Sequence, residues 1–205
     1  MKRFFLICSM IFVIFAPTEA ALIEKGASIA VTDLGVHQGT SEPDMNLLNA
    51  ERASSEYIIQ RLVMTNNFEV KDRSLVLETM QKLNTTGLID PNTAKKIGEI
   101  LGVKYIVYGN VTDVSLDDEI AGTILFSGGS RTIKAHLVIR IMDVETGKIL
   151  TAAKGEGKSM SANVGTVFIF IGTTEVSQTA VHNALQKAAF QAVDVLNDRL
   201  FAKNK

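Results

Sequence analysis

The chain has 205 residues, with 21 Lys+Arg against 22 Asp+Glu, one Cys, three His and no Trp; at about 100–200 residues per domain it is one domain, or one with an appendage. A formal net charge of −1 gives no electrostatic reason to expect a nucleic-acid partner, and Cys8, being single, excludes an intramolecular disulfide and a Cys-based zinc site. Hydrophobic residues at 46% and charged residues at 21% exclude disorder as the main state.

Residues 1–20 read as a secretory signal peptide. Lys2 and Arg3 precede the apolar run 4–15, and Pro17 leads to a small-residue cleavage site at Thr18, Glu19 and Ala20. The run is too short for a comfortable helical crossing, which takes about 20 residues. Cleavage removes Cys8 and leaves Ala21 first, where N-terminal lipidation requires a cysteine. The expected product is residues 21–205, exported and not lipidated at its N-terminus.

In chain order, residues 27–33 (ASIAVTD) predict a buried strand that stops before Gly35, and the polar stretch 36–49 predicts a loop. Over 51–65 the apolar residues Tyr57, Ile58, Ile59, Leu62 and Val63 predict a helix that ends at Asn66 and Asn67. A short strand at 68–71 follows, then a helix capped by Ser74 and carrying Leu75, Leu77, Met80 and Leu83 as apolar residues. Asp90 before Pro91 opens a further helix that Gly102 closes, because proline fits where no amide donor is needed and glycine tolerates a left-handed exit.

Beyond Gly102 the pattern turns to sheet. Residues 105–114 form one strand and 132–144 another, in which Ile133, Ala135, Leu137, Ile139 and Ile141 share a face opposite Lys134, His136 and Arg140. A turn at 145–148, with Gly147 taking positive φ, leads into a partner strand from Ile149 to about Met160. A last helix spans 177–201: Val181, Leu185, Ala188, Ala189, Ala192, Val195, Leu196 and Leu200 recur at helical spacing, leaving Lys187, Asp194 and Arg199 to water. The fold class is α/β (α+β): a mixed sheet with flanking helices, long β-hairpin extensions and a C-terminal helix.

Two uncharged, β-prone, glycine-punctuated segments fit a soluble core poorly: 120–126, with Ile120, Ile124 and Phe126, and 164–172, with Val164, Thr166, Phe168 and Phe170 on one face of a strand. They sit within 114–134 and 160–180, each 21 residues long, which is barely room for two membrane strands of about 10 residues and a turn. They are candidate membrane or interface strands. Asp117, Asp118 and Glu119 come just before Ile120 and would be costly in lipid.

Several stretches together resemble the CsgG family of curli secretion channel proteins: Lys104-Tyr-Ile-Val-Tyr-Gly-Asn-Val, then Leu137-Val-Ile-Arg-Ile-Met-Asp-Val-Glu-Thr-Gly-Lys-Ile-Leu150, with the earlier helix followed by Phe68-Glu-Val. The likeness runs from about Ala27 to Leu200. It implies a periplasmic α/β domain that assembles as a homo-oligomer and contributes hairpins to an outer-membrane barrel, inserted where this chain carries its two uncharged segments. It also makes 36–49 the counterpart of the channel-narrowing loop, with Asn46 as the candidate constriction residue.

Catalytic and metal motifs are missing from the sequence: no nucleophile elbow, phosphate-binding loop or His-rich metal pattern occurs. His37, His136 and His182 have no ligand-like spacing and read as surface or core histidines; Asp33 near His37 reads as part of a polar loop rather than an acid–base pair. Gly128, Gly129, Gly155 and Gly157 read as turn or strand glycines, and 117–119 as a solvated loop rather than a Ca²⁺ site. The expectation is a non-enzymatic subunit of a curli-like secretion or surface-assembly complex with no cofactor, no metal and no catalytic residue. Its expected partners are further copies of itself, the outer membrane and exported or envelope proteins. The alternative is a soluble periplasmic regulator that binds a cell-envelope enzyme, like the activators of penicillin-binding proteins, which share related folds.

Overall fold

In the computed structural model, the residues described are 23–36, 47–123, 126–165 and 178–201. In chain order they form β1 (Ala27–Val31), β2 (Gly35–Val36), α1 (Leu47–Thr65), β3 (Phe68–Val70), α2 (Arg73–Lys82), α3 (Pro91–Leu101), β4 (Tyr105–Thr123), β5 (Phe126–Asp143), β6 (Ile149–Gly165) and α4 (Gln178–Phe201). One mixed sheet runs β3-β1-β4-β5-β6, and β2 extends the β1 position along β4. The β1 pairs with β3 and β4 are parallel; β4–β5 and β5–β6 are antiparallel.

Helices cover both faces of the parallel half. Ile29, Val31, Val107, Leu137 and Ile139 pack with Ile58 and Leu62 of α1 and Leu185 and Leu196 of α4. On the other face Ala30, Ile106, Tyr108 and Met142 pack with Val76 and Met80 of α2 and Ala94 and Ile97 of α3. The alternation expected along β5 is present: Ile133, Ala135, Leu137, Ile139 and Ile141 are buried, whereas Lys134, His136 and Arg140 are half-exposed on the opposite face.

Local chemistry fixes α3 as expected. The Asp90 carboxylate accepts hydrogen bonds from the Asn92 and Thr93 amides at 2.8 and 3.2 Å, Pro91 occupies the first turn, and Gly102 ends the helix at φ 62°. Gly147 makes the β5–β6 turn at φ 69°. Other details depart from expectation. The cap of α2 is Asp72, whose side chain accepts from the Ser74 amide, and not Ser74. That places Val76, Thr79 and Met80 inward and leaves Leu75 exposed. Val63 likewise points outward from α1, because the buried stripe runs through Ala50, Ser54, Ser55, Ile58 and Leu62. Asp194, while still partly exposed, also bridges to Arg61 through two hydrogen bonds of 2.8 and 2.9 Å.

The expected hairpin extensions are continuous with the sheet strands. β4 continues to Thr123, β5 starts at Phe126 and β6 runs to Gly165, well past the ends expected at 114, 132 and 160. The carboxylate triplet 117–119 therefore lies in the middle of a paired strand, opposite Thr132, Arg131 and Ser130, and not in a solvated loop.

Candidate assembly surface

The surface is built on α4. This helix runs antiparallel to β6: Arg199 donates to the Ala152 carbonyl, Gln191 Oε1 accepts from the Glu156 amide at 2.6 Å, and Lys187 Nζ donates to the Lys158 carbonyl at 2.9 Å. Close approach is possible because Gly155 and Gly157 have no Cβ. One added at Gly155 would lie 2.9 Å from Ala192 Cβ, and one at Gly157 would lie 2.7 Å from the Ala188 amide. Alternate residues of β6 turn their backbone groups away from β5, so α4 supplies side-chain partners to an edge that would otherwise invite strand pairing.

This cover ends before the strands do. Gln178, the first residue of α4, precedes Lys187 by nine residues, which is about 13 Å of helix or about four strand residues. Counting from Lys158, that reaches residue 162. Asn163–Gly165, with their partners Gly129–Ser127 and the positions Ile120–Gly122 beyond those, project past the helix as a three-stranded ribbon. No residue from 120 to 130 or from 159 to 174 is charged.

Three of the residues expected to form membrane or interface strands meet in this ribbon: Ile120 pairs with Gly129, Phe126 with Thr123, and Val164 with Gly128. Ile124, Thr166, Phe168 and Phe170 lie outside the described residues, as do Asn46, His37 and the leader 1–20. Val164 and Gly165, the described start of the second uncharged segment, thus share one sheet with Ile120 and Phe126 of the first through β5, a relationship that their separation in sequence concealed.

Below the uncharged ribbon, the outer strands β4 and β6 differ in their charged residues. Past Val111, which pairs with Val36, the outer side of β4 has no strand partner among the described residues. Residues 112–123 include Asp113, Asp117, Asp118 and Glu119 and no Lys or Arg. On the opposite side, Lys154 and Lys158 of β6 are exposed, and Lys187 and Arg199 of α4 reach the same edge; Glu156 is the acid among them. Between these edges Asp113 Oδ2 lies 3.5 Å from His136 Nδ1, with Glu156 next in register.

A second polar cluster occupies the carboxyl ends of β1 and β3. Arg73, with 11% of its side chain exposed, bonds to Asp33 and to Glu56, while Ser55 Oγ accepts from the Leu34 amide and Glu51 Oε1 from the Val36 amide. Burial pushes the Glu51 carboxyl up, opposed by the Val36 hydrogen bond and aided by the Asp33 charge. Arg73 to Asp33, Ser55 to Leu34 and Glu51 to Val36 each tie a helix to a strand end, while Arg73 to Glu56 ties α2 to α1. His182 accepts or donates at 3.1 Å with the Tyr57 hydroxyl. Among the described residues no group of three His, Cys, Asp or Glu side chains could hold a metal ion, and no helix is long and apolar enough to cross a membrane.

The family described as "Curli production assembly/transport component CsgG" matches residues 23–205. No curated protein matches the chain. Solved structures similar to it include the LpoB C-terminal domain from Salmonella enterica, at 18% identity over 65% of this chain and 84% of that one, TM-score 0.45. The hypothetical protein CT253 from Chlamydia trachomatis has 12% identity over 87% and 99%, TM-score 0.48. The PelC dodecamer from Paraburkholderia phytofirmans has 11% identity over 89% and 93%, TM-score 0.43.

Proposed function

Because the chain belongs to the CsgG family, we propose that it is a non-enzymatic subunit of a secretion or surface-assembly complex in the cell envelope, working by self-assembly. The observation that carries this reading is the uncharged ribbon that outruns α4. A ribbon that runs past every described helix presents strand edges that lipid or another protein can cover. Exported, envelope-located assembly also agrees with the curli assembly and transport role in the family's description and with the leader-like residues 1–20. On this reading the protein needs neither cofactor nor metal.

The position of Asp117, Asp118 and Glu119 favours a second reading. They sit in β4 directly below the uncharged end, and carboxylates near the middle of a bilayer are expensive. A ribbon buried in a protein interface avoids that penalty, as a soluble regulator of an envelope enzyme would require. Membrane fractionation of the untagged protein, combined with its native mass in detergent and in buffer, separates the two. Recovery in the membrane fraction as an oligomer supports the assembly subunit; a soluble monomer in both media rejects it.

A further inference from the structure

We propose that the β5–β6 part of the sheet face left open by the described helices, around Lys158, docks on the phosphate layer of an anionic lipid surface at the foot of the uncharged ribbon. The proposal rests on the assembly reading above and names what its membrane contact recognises. α2 and α3 pack on this face against Tyr108 and Met142. Beyond them β6 presents Lys154, Glu156, Lys158 and Met160 at alternate positions, all exposed.

Along β6 charge gives way to apolar surface in a single step. Lys158 is the last charged residue before the ribbon. Met160 is 69% exposed, and residues 159–174 carry no charge. Same-face neighbours on a strand are about 7 Å apart, which matches the roughly 5–8 Å of headgroup region on each side of a bilayer's hydrocarbon. A strand standing in that region puts an ammonium among phosphates and a thioether where acyl chains begin. Lysine suits this place, because its apolar stem lies along the surface while its charged end reaches out.

Cations gather at the same level. Lys134 is opposite Lys158 in the β5–β6 register, and Lys187 Nζ of α4 donates to the Lys158 carbonyl at 2.9 Å. β5 holds no acid before Asp143, and Glu156 is the one acid of β6. The acids 117–119 belong to β4, where Asp117 is in register with Thr132, and Thr132 in turn with Met160. The sheet is thus cationic on its β5–β6 side, the sign that anionic headgroups attract.

The contact is tested by flotation of the purified protein with phosphatidylcholine vesicles that contain or lack phosphatidylglycerol. Binding is expected to be at least about tenfold tighter with phosphatidylglycerol, and to fall as salt screens the contact. Each basic group close to an anionic surface contributes about fivefold. Lys154→Gln/Lys158→Gln should therefore lose about tenfold, Lys158 counting in full and Lys154, about 13 Å further from the ribbon, in part. Lys82→Gln/Lys96→Gln removes the same charge from exposed positions on α2 and α3 and should bind like the parent. Circular dichroism verifies the folding of each variant. Equal binding to both vesicles overturns this contact and leaves membrane assembly in place, as does a control pair that weakens binding as much as Lys154→Gln/Lys158→Gln. A native mass below the parent's in Lys154→Gln/Lys158→Gln assigns these lysines to a subunit contact and overturns the lipid contact too. A parent oligomer that binds neither vesicle overturns it with self-assembly intact, whereas a parent monomeric in every medium rejects the assembly reading itself, and this contact with it.

Discussion

Gly157 faces the carbonyl oxygen of Ala184 so closely that a Cβ on the glycine would fall well inside the van der Waals shell of that oxygen. Gly155 meets the Ala188 carbonyl in the same way, one α4 turn further on. The obstacle in both cases is helix backbone, which cannot move aside as a flexible side chain would. Gly157→Ala should therefore lift α4 from β6 and destabilise the fold by about 3 kcal/mol, the upper end of typical overpacking penalties. Urea unfolding of Gly157→Ala and Gly155→Ala beside the parent checks this. An unchanged midpoint in either would show that the helix seat is looser than described.

The opposite sign is expected at Tyr108. Its ring is buried in the α2–α3 cluster, and its hydroxyl has no hydrogen-bond partner among the described residues. Burial comes first in pushing its phenol pKa up. Removing an unsatisfied buried hydroxyl relieves a desolvation penalty, so Tyr108→Phe should stabilise by about 1 kcal/mol. Denaturant titration gives the answer, and a loss of stability would mean that the hydroxyl has a partner.

Two carboxylates should give opposite pH responses. The Thr93 hydroxyl, followed by the Thr93 backbone amide, holds the Asp90 carboxyl below its ordinary 3.8. A folded-state pKa below the unfolded one gives stability that is present above the unfolded value and lost as pH falls through the folded one. Asp90→Asn should thus differ most from the parent at neutral pH and converge with it below about 3.8. Glu51 behaves in reverse: burial raises its pKa, so it favours the fold at low pH and loses that contribution as pH rises through its raised value. Glu51→Gln retains an acceptor for the Val36 amide and should equal or exceed the parent in stability at pH 7. Melting temperatures from pH 2 to 8 for the three proteins test both signs.

What the sequence discloses depends on how local each determinant is. The boundaries of α3 are legible because Asp90, Pro91 and Gly102 act within one turn of themselves. The inward face of β5 is legible because alternation needs only one strand. By contrast, the extension of β4 through Asp117, Asp118, Glu119 and Gly122 follows from pairing with β5 and β6, and nothing in those residue types favours a strand. The same holds for Asp194, whose bond to Arg61 joins residues 133 apart, and for Val63, an apolar residue on the solvent side of α1. Ile120 and Val164 could be singled out by their uncharged surroundings. Their meeting across Gly128 and Gly129 could not, since it depends on the β5 register.

Phe168 and Phe170 provide the sharpest division between a membrane strand and a protein interface. With Val164 and Thr166 they fall on one face of any strand drawn through 164–172. If that face meets lipid, Phe168→Arg or Phe170→Arg should cost about 2–4 kcal/mol near the bilayer midplane and abolish membrane association. The domain built on α1 to α4 would stay folded, with its melting transition intact. If the face is instead packed within the subunit, the same change buries an unpaired charge and should destabilise the whole domain. A face that packs against a protein partner gives a third result, in which fold and membrane partitioning are unchanged but the native mass falls. Thermal unfolding, membrane partitioning and native mass of both variants beside the parent distinguish the three. The membrane-strand reading requires the first pattern, and loss of folding or unchanged partitioning rejects it.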